Sequence, residues 1–247
     1  MITIRLVTYY SDSMMAILTL LQAAAEGSNE IRPYFHFTKV AAREVVPVLL
    51  ELMTKQDEDA GDDDYNISRA AYQCLQLYSQ AIANEIIAPV LAFVEENLRH
   101  DDWHNRDAAV SAFGAIMEGP DEKSLDPLVK QALPVLIGMM EDRAMQVQDS
   151  AAYALGRICE CISESIDPST HLPHLISALF AGLSNNPKMA ASCCWALMNL
   201  ADRFAGEPGC QENPLSKHFN DSVRHILQVT ERSGNHALGN FNLRIDY

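Results

Sequence analysis

At 247 residues with 48% hydrophobic content, the chain can bury one large core or two small ones, which excludes a disordered acidic tail. Eighteen basic residues against 33 acidic ones leave a formal charge of −15, which disfavours phosphate backbones and anionic lipid and favours basic partners. Direct nucleic-acid binding is therefore not expected. Nor is membrane insertion, because the best apolar run, Ile86 to Val94, falls short of the ~18 residues of a spanning helix and contains Pro89.

The N-terminal stretch MITIRLVTYYSDSMMAILTLLQAAA holds an apolar segment, and a leading helix is expected at about residues 13 to 25. Asp12 offsets Arg5, so the charged start of a secretory signal is poor. Residues 1–40 read as this helix plus a divergent segment.

From residue 41 on, one phrase recurs four times: VVPVLLELM at Pro47, IAPVLAFVE at Pro89, ALPVLIGMM at Pro134 and HLPHLISAL at Pro173, at intervals of 42, 45 and 39 residues. A second phrase follows each: ISRAAYQCLQL, NRDAAVSAFGAI, VQDSAAYALGRI and MAASCCWALMNL. Aligned on Leu75, Phe113, Leu155 and Leu197, these lie 38, 42 and 42 residues apart. Each phrase carries apolar residues at helical spacing; in the second, Ala109, Val110, Phe113, Ile116 and Met117 share a stripe. Small residues (Ala70, Ala71, Ala108, Ala109, Ala151, Ala152) let the second helix approach its neighbour closely. Turn-forming stretches separate the helices. The expected fold is all-α: an α-solenoid of about four helical hairpins over residues 41–205, with a period near that of HEAT repeats and longer than the ~34 residues of a tetratricopeptide array. An armadillo array has a similar period. A trailing helix is expected at about residues 216 to 231, inside a partial repeat and divergent tail covering 206–247. Neither end shows the polar cap a solenoid needs, so the chain reads as cut at both ends and prone to self-association.

One turn is unusual. TKQDEDAGDDDYN, within an expected loop at 55–65, places Asp57, Glu58, Asp59, Asp62, Asp63 and Asp64 inside eight positions. Counted as a calcium loop from Asp57, Gly61 is fifth and Ser68 twelfth, where glycine at six and a carboxylate at twelve are required, so that reading fails. Like charges make a solvated, extended loop, and an insertion in a turn costs little closure entropy. Such a loop can gather a basic partner over a Debye length of ~8 Å.

Two positions before Leu155 and Leu197 stand Tyr153 and Trp195, which two helical steps place roughly opposite the core stripe. Their shared register predicts rings set one above the other on the solvent face, able to hold a lysine or arginine by cation–π contact worth ~0.5–2 kcal/mol. Packing against a neighbouring helix end is the alternative. Asn199, four residues after Trp195, falls on the same face and is suited to bonding an extended peptide. Trp103 is expected to close its hairpin by packing. The six cysteines have neither zinc-knuckle spacing nor a framework pattern and read as reduced, mostly buried and cytosolic. Histidines show no paired metal spacing, and no phosphate loop, nucleophile motif or acid–base pair stands out, so neither an enzyme nor a cofactor is expected.

The acidic run followed by SRAAYQCL, then DDWHNRDAAVSAFGAIMEGPD, VQDSAAYALGRICE and CCWALMNLAD, resembles the importin-beta (karyopherin beta) family from about Phe37 to about Ala205. The resemblance implies a HEAT-repeat nuclear import receptor, found in cytoplasm and nucleus and at the nuclear pore. It implies as partners importin alpha or another basic cargo segment, Ran bound to GTP, and phenylalanine-glycine nucleoporins. In the family, second helices line an inner face whose aromatic residues hold the basic segment, and Tyr65, Tyr153 and Trp195 match such positions. Residues 57–64 match an acidic loop that touches Ran and the basic segment. The family commonly has tryptophan where Tyr65 and Tyr153 stand here, and tyrosine keeps the ring with a weaker cation–π face. Two other readings fit the repeat: a HEAT scaffold subunit of a phosphatase or vesicle-coat complex, which needs no acidic insertion, and an armadillo importin-alpha-like adaptor, suggested by the Trp195–Asn199 spacing.

Overall fold

The computed structural model describes residues 37–56, 66–204 and 213–232, and every regular element among them is helical. The expected leading helix at 13–25, the acidic run with Tyr65, Cys210 and the tail from Ser233 lie outside the described residues. The helices follow one another as antiparallel-type pairs of the HEAT kind, divided between two compact units that meet at Leu125 and Asp126.

The first unit holds α1 (Phe37–Met53), α2 (Ile67–Ile82), α3 (Ile87–Asn97) and α4 (Trp103–Ala115). Capping starts two of them: Asn66 Oδ1 accepts from the Ser68 amide at 2.9 Å, and Asp102 Oδ1 accepts from the His104 amide at 3.0 Å. Helix α1 packs on α2, burying Val46, Leu49, Leu50 and Met53 alongside Cys74, Leu75, Tyr78 and Ile82. Helix α3 packs on α4, where Ala108, Ala109, Ala112 and Ala115 are buried beside Val110 and Phe113. Alanine on so many turns keeps side-chain volume low and the helix axes close. Trp103 opens α4 and stacks on His104 with ring centroids 3.9 Å apart.

Ile67–Asn97 is long and apolar enough to cross a membrane by length and composition, more so than the sequence reading allowed. It folds instead as α2, a 3-10 turn (Ala83–Ile86) and α3. Ala83 sits at φ 52° where the two helices break, and Cys74, Leu75, Tyr78, Ile86 and Val90 are spent on the core. The apolar stretch is thus divided between two successive hairpins, and about a third of its most apolar window is buried.

After α4 the chain turns through Gly119, at φ 115°, where a β-carbon would lie 2.2 Å from the Ser79 carbonyl oxygen. Only glycine fits both the left-handed backbone and that approach. The Ser79 hydroxyl, on α2, donates to the Glu118 carbonyl at 2.7 Å, and the Asp121 amide donates to Asn84 Oδ1 at 2.8 Å. These bonds tie the turn to the end of α2.

Helix α5 (Glu122–Met139) carries Pro127 and Pro134 and spans the division between the units. The second unit continues with α6 (Met145–Cys161), α7 (Leu172–Gly182), α8 (Pro187–Phe204), a 3-10 turn (Ser216–His218) and α9 (Phe219–Arg232). Helices α6 and α8 pack together through Ala151, Leu155 and Ile158 on one side and Ala190, Cys193, Ala196 and Leu200 on the other. Amide bonds fasten their starts: Asn186 Nδ2 donates to Asp149 Oδ1 at 2.8 Å, and Asn185 Nδ2 donates to Gln148 Oε1 at 3.0 Å. Burial pushes the Asp149 carboxyl above its ordinary value, while the Asn186 amide pulls it back. Helix α7 closes on α8 at Gly182, where a β-carbon would come within 2.4 Å of Cys193 Sγ.

The repeat alignment misassigns one core position. Leu155 is fully buried, but Leu197 is half-buried at the edge of an apolar groove, and Ala196 takes the interior place in α8.

Candidate functional site

The two aromatic residues singled out by register meet in the second unit. Tyr153 on α6 and Trp195 on α8 have ring centroids 5.4 Å apart and planes inclined by 28°, within the range of offset stacking. Their placement follows from the helix stripes. On α6 the core side is Ala151, Ala152, Leu155 and Ile158, which turns Tyr153 outward at 40% exposure. On α8 the core side is Cys193, Ala196 and Leu200.

Trp195 is not as open to solvent as its position opposite the core stripe suggests. It is half-buried because its six-membered ring lies on Gly156 of α6, where a β-carbon would stand 2.5 Å from Cε3 and 2.7 Å from Cζ3. The bare glycine gives the indole a backbone floor, and Tyr153 covers part of it. The result is a two-ring platform held by α6 and α8, with Tyr153 as its more exposed member.

Asn199 also departs from expectation. Its residue is half-buried, and its Nδ2 is enclosed with no hydrogen-bond partner among the described residues. The amide nitrogen is therefore turned inward, not presented on an open face. The acidic residues Asp57, Glu58, Asp59, Asp62, Asp63 and Asp64, together with Tyr65, fall outside the described residues, so the structure does not bring them to this platform.

Two carboxylates that sequence reasoning missed share the stripes of the rings. Glu160 stands seven residues after Tyr153 and Asp202 seven after Trp195, about 10.5 Å further along each helix axis. Both are exposed. Glu160 is engaged by Arg157 Nη1 at 2.6 Å, so part of its charge is met within α6. The signal was available: an aromatic followed by an acid at +7 in two successive second helices. Charge on one helix stripe is common enough that the offset by itself does not mark a site.

Among the described residues no group of three or more His, Cys, Asp or Glu is placed to hold a metal. The described cysteines are free thiols: Cys74, Cys159 and Cys193 are buried, while Cys161 and Cys194 are half-buried. Burial pushes the Cys74 thiol up to about 11 and that of Cys193 to about 12. Such thiols stay protonated at neutral pH and are poor nucleophiles.

Paired helices with a forty-residue period, small residues at the seams and no strand among the described residues define a HEAT-repeat protein. A profile described as "HEAT-like repeat" matches residues 103–158, and one described as "Importin subunit beta-1-like, TPR repeats" matches residues 174–241. Importin subunit beta-1 of Schizosaccharomyces pombe is 46% identical over 213 residues, which cover 85% of this chain and 25% of that protein. A crystal structure of importin beta from an ammonium sulfate condition shares 64% identity at a TM-score of 0.79, over 89% of this chain and 25% of that one. Kap95p bound to RanGDP (37% identity, TM-score 0.78) covers 89% of this chain and 25% of that one. The Kap95:Nup1 complex (38%, 0.75) covers 88% and 24%. The chain closely resembles importin subunit beta-1. It spans about a quarter of the length of the relatives it matches.

Proposed function

We propose that this chain is a segment of a nuclear import receptor and that its part in the work is to hold a basic peptide segment of importin alpha or a cargo. The observation that carries the reading is the Tyr153–Trp195 platform on Gly156, with Glu160 and Asp202 further along the same stripes. A guanidinium or ammonium over an aromatic face gains ~0.5–2 kcal/mol, and a carboxylate two turns on suits the next basic side chain of an extended peptide. Net charge of −15 draws such a peptide in from a distance.

In this reading the acidic run at 57–64 gathers the basic segment, Tyr65 adds a further ring, and Asn199 would bond the peptide only after its amide turns outward. Ran and nucleoporins enter as partners because Kap95p, 37–38% identical here, binds RanGDP and forms a complex with Nup1. Cytoplasm and nucleus, including the pore, are the locations that go with this role.

The test is binding of a synthetic Arg/Lys-rich peptide to the chain across a salt series. Replacing Asp62, Asp63 and Asp64 together by asparagine is expected to weaken binding and flatten its salt dependence. Equal affinity and equal slope before and after the change would remove the acidic run from the account.

A further inference from the structure

Two arginines of the chain lie along the α6–α8 seam that carries the ring platform, and they are held differently. Arg157, on α6, is buried and turns its Nη1 to Glu160 of the same helix at 2.6 Å. Arg203, in the last turn of α8, reaches across the seam to Glu164 in the 3-10 turn (Ser163–Ser165) that follows α6, where its Nη2 donates to Oε2. This second pair is open to solvent, with the Arg203 side chain 37% and the Glu164 side chain 57% exposed.

Arg203 is held as a bound arginine would be. Its guanidinium carbon stands 5.6 Å from the centre of the Phe204 ring while its Nη2 is on the Glu164 carboxylate, so one aromatic face and one acid share the same cation. The rings of Tyr153 and Trp195, with the acids beyond them, offer the same two kinds of contact to a peptide. The two seats are also in line. Tyr153 and Trp195 join α6 to α8, and Glu164 and Arg203, 11 and eight residues further on, join the turn after α6 to the end of α8. Eight residues of α8 rise about 12 Å, which an extended peptide covers in about three or four residues.

We propose that Arg203 is an internal competitor of the basic segment: in the free chain its guanidinium holds the carboxylate that the next basic side chain of a peptide seated on the Tyr153–Trp195 platform would reach, and the peptide must displace it. The proposal rests on that platform being the seat of the peptide. Exchange is feasible because an exposed ion pair adds little to stability, whereas breaking the pair of the buried Arg157 would strand a charge in the interior. A displaced Arg203 turns into solvent, to which it is already exposed. The competition limits affinity and makes it depend on a second basic residue about three or four positions from the first.

Affinity of the Arg/Lys-rich peptide for the full chain, measured at physiological salt, tests this. Trp195→Ala establishes the seat: unaltered affinity there removes the platform, and this inference with it. Where Trp195→Ala does weaken binding, Arg203→Gln is expected to tighten it about threefold, the gain of one exposed ion pair. Arg224→Gln removes the same charge from another exposed pair, with Asp221 on α9, and is expected to change affinity by less than about 1.5-fold. The double variant Arg203→Gln, Glu164→Gln should lose the gain of the first, because the freed carboxylate is gone. Platform-dependent binding in which Arg203→Gln weakens the peptide, behaves as Arg224→Gln does, or keeps its gain without Glu164 would overturn the inference and leave the platform standing.

Discussion

The six-membered ring of Trp195 occupies the space that a β-carbon on Gly156 would fill, at 2.5 Å from where that carbon would stand. A glycine inside a helix ordinarily costs roughly 0.5–1 kcal/mol relative to alanine, so Gly156→Ala would be stabilising if the site were empty. Here the added methyl must displace the indole. We expect the variant to lose about 1–3 kcal/mol through overpacking instead of gaining stability, and to shift the tryptophan emission. Urea denaturation followed by fluorescence measures both; a more stable variant with unaltered emission contradicts the packing described.

The contact between Tyr153 and Trp195 predicts a coupling between them. In a double-mutant cycle of Tyr153→Ala and Trp195→Ala, the pair should show about 0.5–1.5 kcal/mol of interaction energy in folding stability. Strictly additive losses would mean that the rings stack without supporting one another.

Gly119→Ala tests the turn that ties α4 to the end of α2. Left-handed strain and a β-carbon 2.2 Å from the Ser79 carbonyl oxygen should together cost roughly 2–5 kcal/mol. Ser79→Ala removes a hydroxyl bond to the Glu118 carbonyl and should cost about 1 kcal/mol. Equilibrium denaturation of the two variants ranks them, and the glycine change is expected to be the larger.

The buried thiols set a pH dependence. The ordinary thiol value is 9.0, whereas Cys74 is held at about 11 and Cys193 at about 12, so the unfolded chain gives up these protons first as pH rises. Their contribution is fully present below about pH 9 and is lost progressively above it. Stability measured from pH 8 to 11 should fall, and less steeply in a Cys74→Ala, Cys193→Ala variant. At pH 8 a thiol reagent should leave Cys74, Cys159 and Cys193 unmodified until denaturant is added.

Periodicity made the fold class legible, because Leu75, Phe113 and Leu155 recur on apolar stripes that have no solution other than packed helices. It erred at Leu197, where one residue of register moved the interior position to Ala196; a leucine and an alanine both satisfy a stripe, and only the neighbouring helix decides between them. Register also put Tyr153 and Trp195 on one line. It could not show that Trp195 would lie down on Gly156, since that depends on a missing side chain on another helix 39 residues away. The inward turn of the Asn199 amide is a rotamer choice, which spacing does not encode. Glu160 and Asp202 were visible as a repeated +7 offset, but helix surfaces carry acids so often that the offset alone does not single them out.

The central claim is that the ring platform holds basic side chains, and the most direct measurement is the affinity of an Arg/Lys-rich peptide for the chain with and without Trp195. Trp195→Ala removes one ring and loosens the other, and the loss of about 1.4 kcal/mol or more corresponds to tenfold weaker binding. The account predicts a weakening of tenfold or more at physiological salt, in a variant whose helical content is unchanged. An unaltered affinity in that folded variant would contradict it.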